Sequence, residues 1–416
     1  MMHLRMGSCA LAAAVLAPAA AFAAGNHLHE QGTSLMGAAY AGQAAVAEDA
    51  STAYYNPAGM TQLDRPQLVI GTLVGEPTFE FENDGGSTVP GSNGGDASWP
   101  VAGATFFYMH PIGDDWRVGF SATAPFGLTL DYLDDWTGRY YVQDSRLITV
   151  NLNPSVAWRA TDWLSVGAGV SAQYAKLDAS FALNNVLDGL DDGNAVADLG
   201  GFGFGFNAGV LVTPRDGTRI GLAYRSQIAH SLDGELALRD VGPTLTALGI
   251  AGNNLDFDFT LPQSVTVSLV QALGGGFSLL ADAAWMDWSA LDRTISTFDT
   301  GAVDITERNW HDTWRVALGL RYQWSEALML QTGIGFDSSP VKAQFRVPDL
   351  PADDQIRYAV GAVYTLSERF TVGLAYEYVD LSPGRMATTK NALTGTLSGD
   401  YDKDLHFLSA SLAWRF

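Results

Sequence analysis

Period two dominates this chain. From Leu164 the even positions read Leu164, Val166, Ala168, Val170, Ala172 and Tyr174, while the odd positions read Ser165, Gly167, Gly169, Ser171 and Gln173. Phe370 to Tyr378 repeats the pattern: Val372, Leu374 and Tyr376 alternate with Thr371, Gly373, Ala375 and Glu377. The C-terminus does so again, with Leu408, Ala410, Leu412, Trp414 and Phe416 against Ser409, Ser411, Ala413 and Arg415. Successive strand residues face opposite sides, so one face suits lipid and the other a polar or narrow lumen. A soluble sandwich alternates too. It does not usually carry aromatic residues at both ends of so many strands, as in the pairs Trp163/Tyr174, Trp310/Trp324 and Tyr358/Tyr364.

The segments between strands fall into two classes. Short ones lie at Pro111 to Asp115, Ala160 to Asp162, Pro214 to Gly217, Leu273 to Gly276, Ser325-Glu326 and Ser367-Glu368. Long ones lie near 83–98, 132–138, 183–200, 238–255, 290–305, 339–353 and 382–402. The two classes alternate, as periplasmic turns and outer loops do. They predict strands near 66–82, 99–110, 116–131, 139–159, 163–182, 201–213, 218–237, 256–272, 277–289, 306–324, 327–338, 354–366, 369–381 and 403–416. The expected fold is all-β: a 14-stranded antiparallel transmembrane β-barrel over residues 65–416, with both termini in the periplasm.

Composition supports this. No stretch after the N-terminal leader reaches 18 apolar residues, so no transmembrane helix is expected. Charged residues are 16% and hydrophobic residues 47%, with 45 Gly and 11 Trp. The net charge of −22 argues against nucleic acid as a partner. The leader itself has the form of a secretory signal over residues 1–23: His3 and Arg5, an apolar run from Ala10 to Ala17, and the cleavage pattern Ala21-Phe22-Ala23. The single cysteine, Cys9, falls inside it, so the mature chain has neither a disulfide nor a thiolate metal site.

Residues 24–64 have no useful period. They are rich in small residues and contain Asn56-Pro57-Ala58-Gly59, where Pro57 fixes φ and Gly59 permits φ > 0. A 14-stranded barrel leaks unless its lumen is filled. This segment is therefore expected to be a hatch inside the barrel, with Asn56, Pro57, Ala58 and Gly59 as its gate.

Several motifs, in order and at matching spacing, resemble the FadL-type outer-membrane transporters of long-chain fatty acids and other hydrophobic compounds. They are Gly32-x-Ser34 through Asn56-Pro57-Ala58, then Asn153-Pro154-Ser155, Gly221-Leu222-Ala223-Tyr224-Arg225-Ser226, Asp287-Trp288-Ser289, Trp310-x-Asp312-Thr313-Trp314-Arg315 and Arg346-x-Pro348-x-Leu350-Pro351. The resemblance covers nearly all of the mature chain. It implies a monomer in the Gram-negative outer membrane, passive uptake of an apolar ligand, and lateral exit through a kinked third strand. Phe416 is the expected contact for the barrel-assembly machinery, with outer-membrane lipid around the wall.

The third strand carries Pro125-Phe126-Gly127 after Val118, Phe120, Ala122 and Ala124, and an apolar pattern resumes at Leu128 and Leu130. Proline donates nothing to a ladder and glycine weakens one, so a break is expected there, with Asn56 to Ala58 facing it. Pro154 and Pro262 read as bulges or strand starts. Inward parity selects Arg225, Arg315, Arg321 and Arg357 as candidates for a ligand carboxylate, or for lumenal ion pairs with acids such as Glu307 or Glu377. Lys176 matches a basic ligand-contacting position by resemblance, although its parity faces lipid. Val186, Leu187, Leu190, Leu245, Leu248 and Ile250 are apolar residues in outer loops and suggest a capture groove. No enzyme motif, cofactor site or Cys/His metal cluster is present; His27 and His29 form only a lone pair. The rival readings are a hydrocarbon channel on the same fold, a general porin, and a barrel enzyme.

Overall fold

The computed structural model describes residues 27–416. The signal sequence and the first residues of the expected hatch lie outside the described residues. Fourteen antiparallel strands close into a barrel. They are β1 Gln67–Asn83, β2 Val101–Ile112, β3 Trp116–Thr123 continued by Gly127–Asp131, β4 Asp144–Arg159, β5 Leu164–Leu183, β6 Gly193–Arg215 and β7 Thr218–Arg225 continued by Ile228–Arg239. The remainder are β8 Asn254–Leu261 continued by Ser264–Gly274, β9 Phe277–Met286 continued by Arg293–Phe298, β10 Val303–Glu307 continued by Thr313–Gln323, β11 Leu328–Asp337, β12 Gln355–Thr365, β13 Phe370–Thr389 and β14 Thr396–Arg415. The barrel closes where β1 pairs with β14 along its whole length, from Gln67 opposite Arg415 to Asn83 opposite Gly399.

Burial follows the predicted parity. On β5, Val170 and Tyr174 are exposed to the lipid side while Ser165, Ser171 and Gln173 are buried. Two rings of aromatics mark the interfaces. Trp116 stacks on Trp158, Phe277 on Tyr322 and Phe370 on Trp414 at the turn end, and Tyr174 meets Phe202 and Tyr358 meets Tyr378 further up.

Three of the expected long loops are shorter than the sequence reading had them. Strand β6 begins at Gly193, β9 and β10 run on to Phe298 and from Val303, and β13 and β14 extend to Thr389 and from Thr396. Polarity was the misleading signal. Above the bilayer the outer face meets water, so Asp198 and Glu235 face outward from regular strands whose inner positions, Ala195, Ala197 and Leu199, are buried.

The N-terminal segment occupies the lumen. It holds two short helices, α1 Thr33–Met36 and α2 Thr52–Tyr55, and a 3-10 turn at Pro57–Gln62. Inward glycines admit it. A Cβ on Gly333 would strike the Ala38 backbone, one on Gly221 the Ala44 carbonyl, one on Gly361 the Gly37 Cα and one on Gly167 the Ala58 backbone. Charges then fix its orientation. Arg357, fully buried on β12, bonds Glu30 of the plug at 2.5 Å, Glu377 at 2.6 Å and Asp337 at 3.0 Å. Arg315 pairs with Asp282 at 2.7 Å and donates to the Ala39 carbonyl, and Arg321 pairs with Glu48 at 2.8 Å.

Removing one member of a buried ion network leaves the others uncompensated, at about 3–5 kcal/mol. Arg357→Ala is therefore expected to unseat the plug while the barrel ladder persists. Amide exchange across residues 28–46 should accelerate strongly, with strand amides unchanged; equal protection in the variant would contradict the network's role.

Candidate functional site

The break in β3 is real and is bridged from inside. Ladder pairing with β2 stops at Ala122, and beyond Pro125 the strand pairs only with β4, through Gly127 to Asp131. Residues Val101 to Thr105 of β2 thus face no partner on that side. Phe126, Leu128 and Leu130 turn into the lumen and are buried. The plug supplies the missing bonds: Leu28 N donates to Pro125 O at 2.8 Å, and Gln31 both donates to Ala124 O and accepts from Ala124 N, each at 2.9 Å. Thr149 on β4 completes the set, accepting from Phe126 N at 2.9 Å.

This corrects the expected position of Asn56-Pro57-Ala58-Gly59. That turn is buried against β5 and β6, not at the β3 break. Asn56 Nδ2 donates to Val210 O at 3.0 Å and to Ala44 O at 2.7 Å, and Pro57 and Ala58 lie over Gly167. A turn's own chemistry fixes its shape but not which stretch of wall it meets. Of the other prolines, Pro262 falls in the gap between the two segments of β8. Opposite Asn153-Pro154 the β4–β5 ladder skips two residues, and Asn153 Nδ2 spans the gap to Val170 O at 2.7 Å.

Two lumenal cavities flank the break. The outer one, about 210 Å³, is walled by Leu128, Leu147, Leu177, Phe181, Leu199, Phe257, Phe259, Leu261, Leu291 and Phe298. An apolar cavity of about 150 Å³ accepts benzene, so size alone admits a ring or part of an alkyl chain. Its rim is polar. Arg308 is buried and pairs with Asp349 at 2.7 Å, yet its Nε has no partner; Lys390 pairs with Asp304 at 2.6 Å. Tyr140 and Tyr141 stand beside them, and burial with an Asp192 hydrogen bond pushes the Tyr140 phenol up to about 12, so it stays protonated. A further cavity of about 380 Å³ shares Tyr140, Tyr141, Asp349 and Lys390 and is lined also by Phe345 and Val347. The inner cavity, about 60 Å³, lies between the plug residues His27, Tyr54 and Tyr55 and the wall residues Asn207, Arg225 and Met286. Phe126 and Trp288, ring centres 6.2 Å apart, sit in the chain beside residues of both: Leu128 and Leu291 line the outer cavity, His27 and Met286 the inner one, and His27 bridges to Phe126.

The candidate cations sort themselves. Arg315, Arg321 and Arg357 face inward and are each paired with carboxylates, Arg315 and Arg321 also with plug carbonyls; the buried Nε of Arg315 has no hydrogen-bond acceptor, its nearest carboxylate being Asp337 at 3.6 Å. Of the two acids expected as partners, Glu377 is one and Glu307 is exposed. Arg225 faces the inner cavity. Lys176 is corrected: it bonds Asp198 and Asp178 on the outer face and touches neither cavity, as its parity required. The loop apolar residues divide. Leu245 is buried and Ile250 packs beside it, while Val186, Leu187, Leu190 and Leu248 are exposed; none lines either cavity. Sequence reasoning missed Arg308 and Lys390, which sit in a strand break and a loop where parity has no meaning. Among the described residues no cluster of His, Cys, Asp and Glu could hold a metal ion.

Comparison with known proteins adds the family. A profile described as outer membrane protein transport protein (OMPP1/FadL/TodX) matches residues 13–416. The long-chain fatty acid transport protein of Escherichia coli strain K12 is 28% identical over 408 residues, covering 89% of this chain and 91% of that one. Outer membrane protein P1 of Haemophilus influenzae is 29% identical over 412 residues, covering 88% of each. A FadL homologue from Pseudomonas aeruginosa has the same fold, with a TM-score of 0.88 at 22% identity over 94% of this chain and 100% of that one. The Ralstonia pickettii toluene transporter TbuX scores 0.68 at 18% identity, covering 91% and 98%.

Gln31→Leu removes two bonds to the broken strand, each contributing about 0.5–1.5 kcal/mol. Exchange at the Ala124 and Leu28 amides is expected to rise roughly tenfold or more, without change in β5 or β6; unchanged exchange at Ala124 would refute the bridging.

Proposed function

Because the chain belongs to the OMPP1/FadL/TodX family of outer membrane transport proteins, we propose that it takes up long-chain fatty acids, which leave sideways through the β3 break. Transport by this family is passive, and the chain is not an enzyme. The observation that carries the fatty acid is the rim of the outer cavity. A hydrocarbon needs only the apolar walls; Arg308 and Lys390 above them serve a carboxylate. Arg308 keeps a buried Nε–H without an acceptor, and a buried unsatisfied donor is costly unless a ligand meets it. Relatives named for long-chain fatty acid transport, similar over most of their length, support the same choice.

In this reading an acid enters past Tyr140 and Tyr141, lays its tail among the phenylalanines and leucines, and holds its head at Arg308 and Lys390. The route onward is past Phe126 at the gap between β2 and upper β3. Gln31 and Leu28 bind that same backbone, so a shift of the plug's first residues widens or narrows the gap. The Asn56–Gly59 turn acts as the plug's fixed anchor and not as its gate. The channel works as a single chain, with outer-membrane lipid receiving the product.

Two outcomes test this. Arg308→Gln with Lys390→Gln is expected to weaken oleate binding to the purified barrel about tenfold or more, a charge-assisted pair contributing about 1.5–3 kcal/mol, while toluene binding stays within twofold; equal losses for both ligands would favour a hydrocarbon site. Pro125→Val with Gly127→Val, restoring a donor and a strand-forming residue, is expected to cut oleate uptake by cells while oleate binding persists. Uptake at the wild-type rate would sink the lateral exit.

A further inference from the structure

The inner cavity has a chemistry that the outer reading does not use. Of the inward arginines, Arg315, Arg321 and Arg357 each hold a carboxylate. Arg225 holds none among the described residues. It donates one bond, Nη2 to the Tyr54 carbonyl at 2.8 Å, and lies 4.2 Å over the Tyr54 ring. One further donor at the same cavity lacks an acceptor, Nδ2 of buried Asn207, whose Oδ1 is already taken by Asn153 at 3.1 Å; the buried ring nitrogen Nδ1 of His27 is also without a partner. The other polar groups lining the cavity, Gln43, Ser264, Thr266 and Tyr224, are neutral, and His29 there faces away to Asp337 at 3.5 Å. A guanidinium held in a lumen beside an unfilled amide donor, with no carboxylate paired to it, is a site built for a small anion.

We propose that this cavity is an inner station for the carboxylate head of the transported acid, reached after the head leaves Arg308. The proposal rests on the fatty-acid reading above. A volume of about 60 Å³ holds a carboxylate but not a tail. The tail is accommodated on the other side of His27, whose backbone pairs with Phe126 at the break. An acid bridging the two places has its chain at the opening and its head still neutralised. The arginine thus offsets the cost of leaving the outer cations, and an uncharged ligand gains nothing from it.

The test compares initial uptake of radiolabelled oleate and oleyl alcohol by cells carrying equal amounts of each variant in the outer membrane. Arg225→Gln removes the cation. Asn207→Asp is isosteric, keeps the acceptor for Asn153, and places a carboxylate in the cavity beside Arg225, so it tests the site even if the first variant folds poorly. Both are expected to lower oleate uptake at least tenfold and to leave uptake of the uncharged oleyl alcohol within twofold. Arg225→Lys is expected to restore part of the oleate rate. Oleate uptake within twofold of wild type in both variants overturns the proposal, as a cavity holding only chloride or water would predict. Equal loss of both probes also overturns it, because a blocked passage does not discriminate by charge. The Arg308→Gln, Lys390→Gln protein, assayed for binding in parallel, reports on the outer site separately: the inner station can fail while that reading stands.

Discussion

A peptide group in hydrocarbon must be hydrogen-bonded within the protein, and an orphaned one costs several kcal/mol. The ladder of this barrel's wall is opened where Pro125 interrupts β3 and pairing with β2 ends. The opening is tolerated because the backbone there turns inward and bonds the plug at Leu28 and Gln31. Hole and plug are therefore one device. Without the plug's first residues the Ala124 and Pro125 backbone loses the bonds that replace the β2 ladder; without the break Leu28 N and the Gln31 amide lose those same partners.

The lumen obeys a second constraint, that charge taken from water be paired. Across β9 to β13 this is met by one network, in which Arg315, Arg321 and Arg357 are shared among five carboxylates, Asp282, Asp337, Glu377, Glu30 and Glu48. That side of the barrel grips. On the opposite side, from β3 to β7, the plug meets the wall through Asn56, Met60, Ala53 and Tyr54; Arg117, Arg159 and Arg225 there bond plug carbonyls, and Arg219 to Glu48 is the one ion pair with the plug among the described residues. The break and the two cavities with unfilled donors adjoin this looser side. Strong fixation and passage are thus separated within one cross-section.

Much of this was legible in the sequence. Fourteen strands, their parity and the turn-and-loop alternation follow from period two, because a lipid face and a lumen face impose it on every strand. Parity also put Arg225, Arg315, Arg321 and Arg357 inside and Lys176 outside, and Pro125 announced the break. What parity cannot do is name partners across the lumen. Asn56 to Ala58 meets β6, and only the packing of residues more than a hundred positions apart decides that. Arg308 escaped for a different reason. It lies between the two segments of β10, where the strand is interrupted and the inward–outward alternation lapses. Loop boundaries near residues 193–200 and 382–402 were misjudged because aspartate reads as loop, although above the bilayer it suits the outer face of a strand equally well.

The glycines that line the lumen have a consequence for how the molecule is made. The plug fits against Gly167, Gly221, Gly333 and Gly361 so closely that a single added carbon would collide. A closed cylinder with such tolerances is hard to load afterwards. Its plug contacts also span the chain, Thr33 to Ser409 and Glu30 to Arg357 among them. The seam that joins the two ends of the wall, β1 against β14, is made from the residues just after the plug and from the C-terminus itself. Biogenesis is then a wrapping reaction: the wall assembles around a segment exported before it, and seam closure and plug docking become a single late, slow, non-local event.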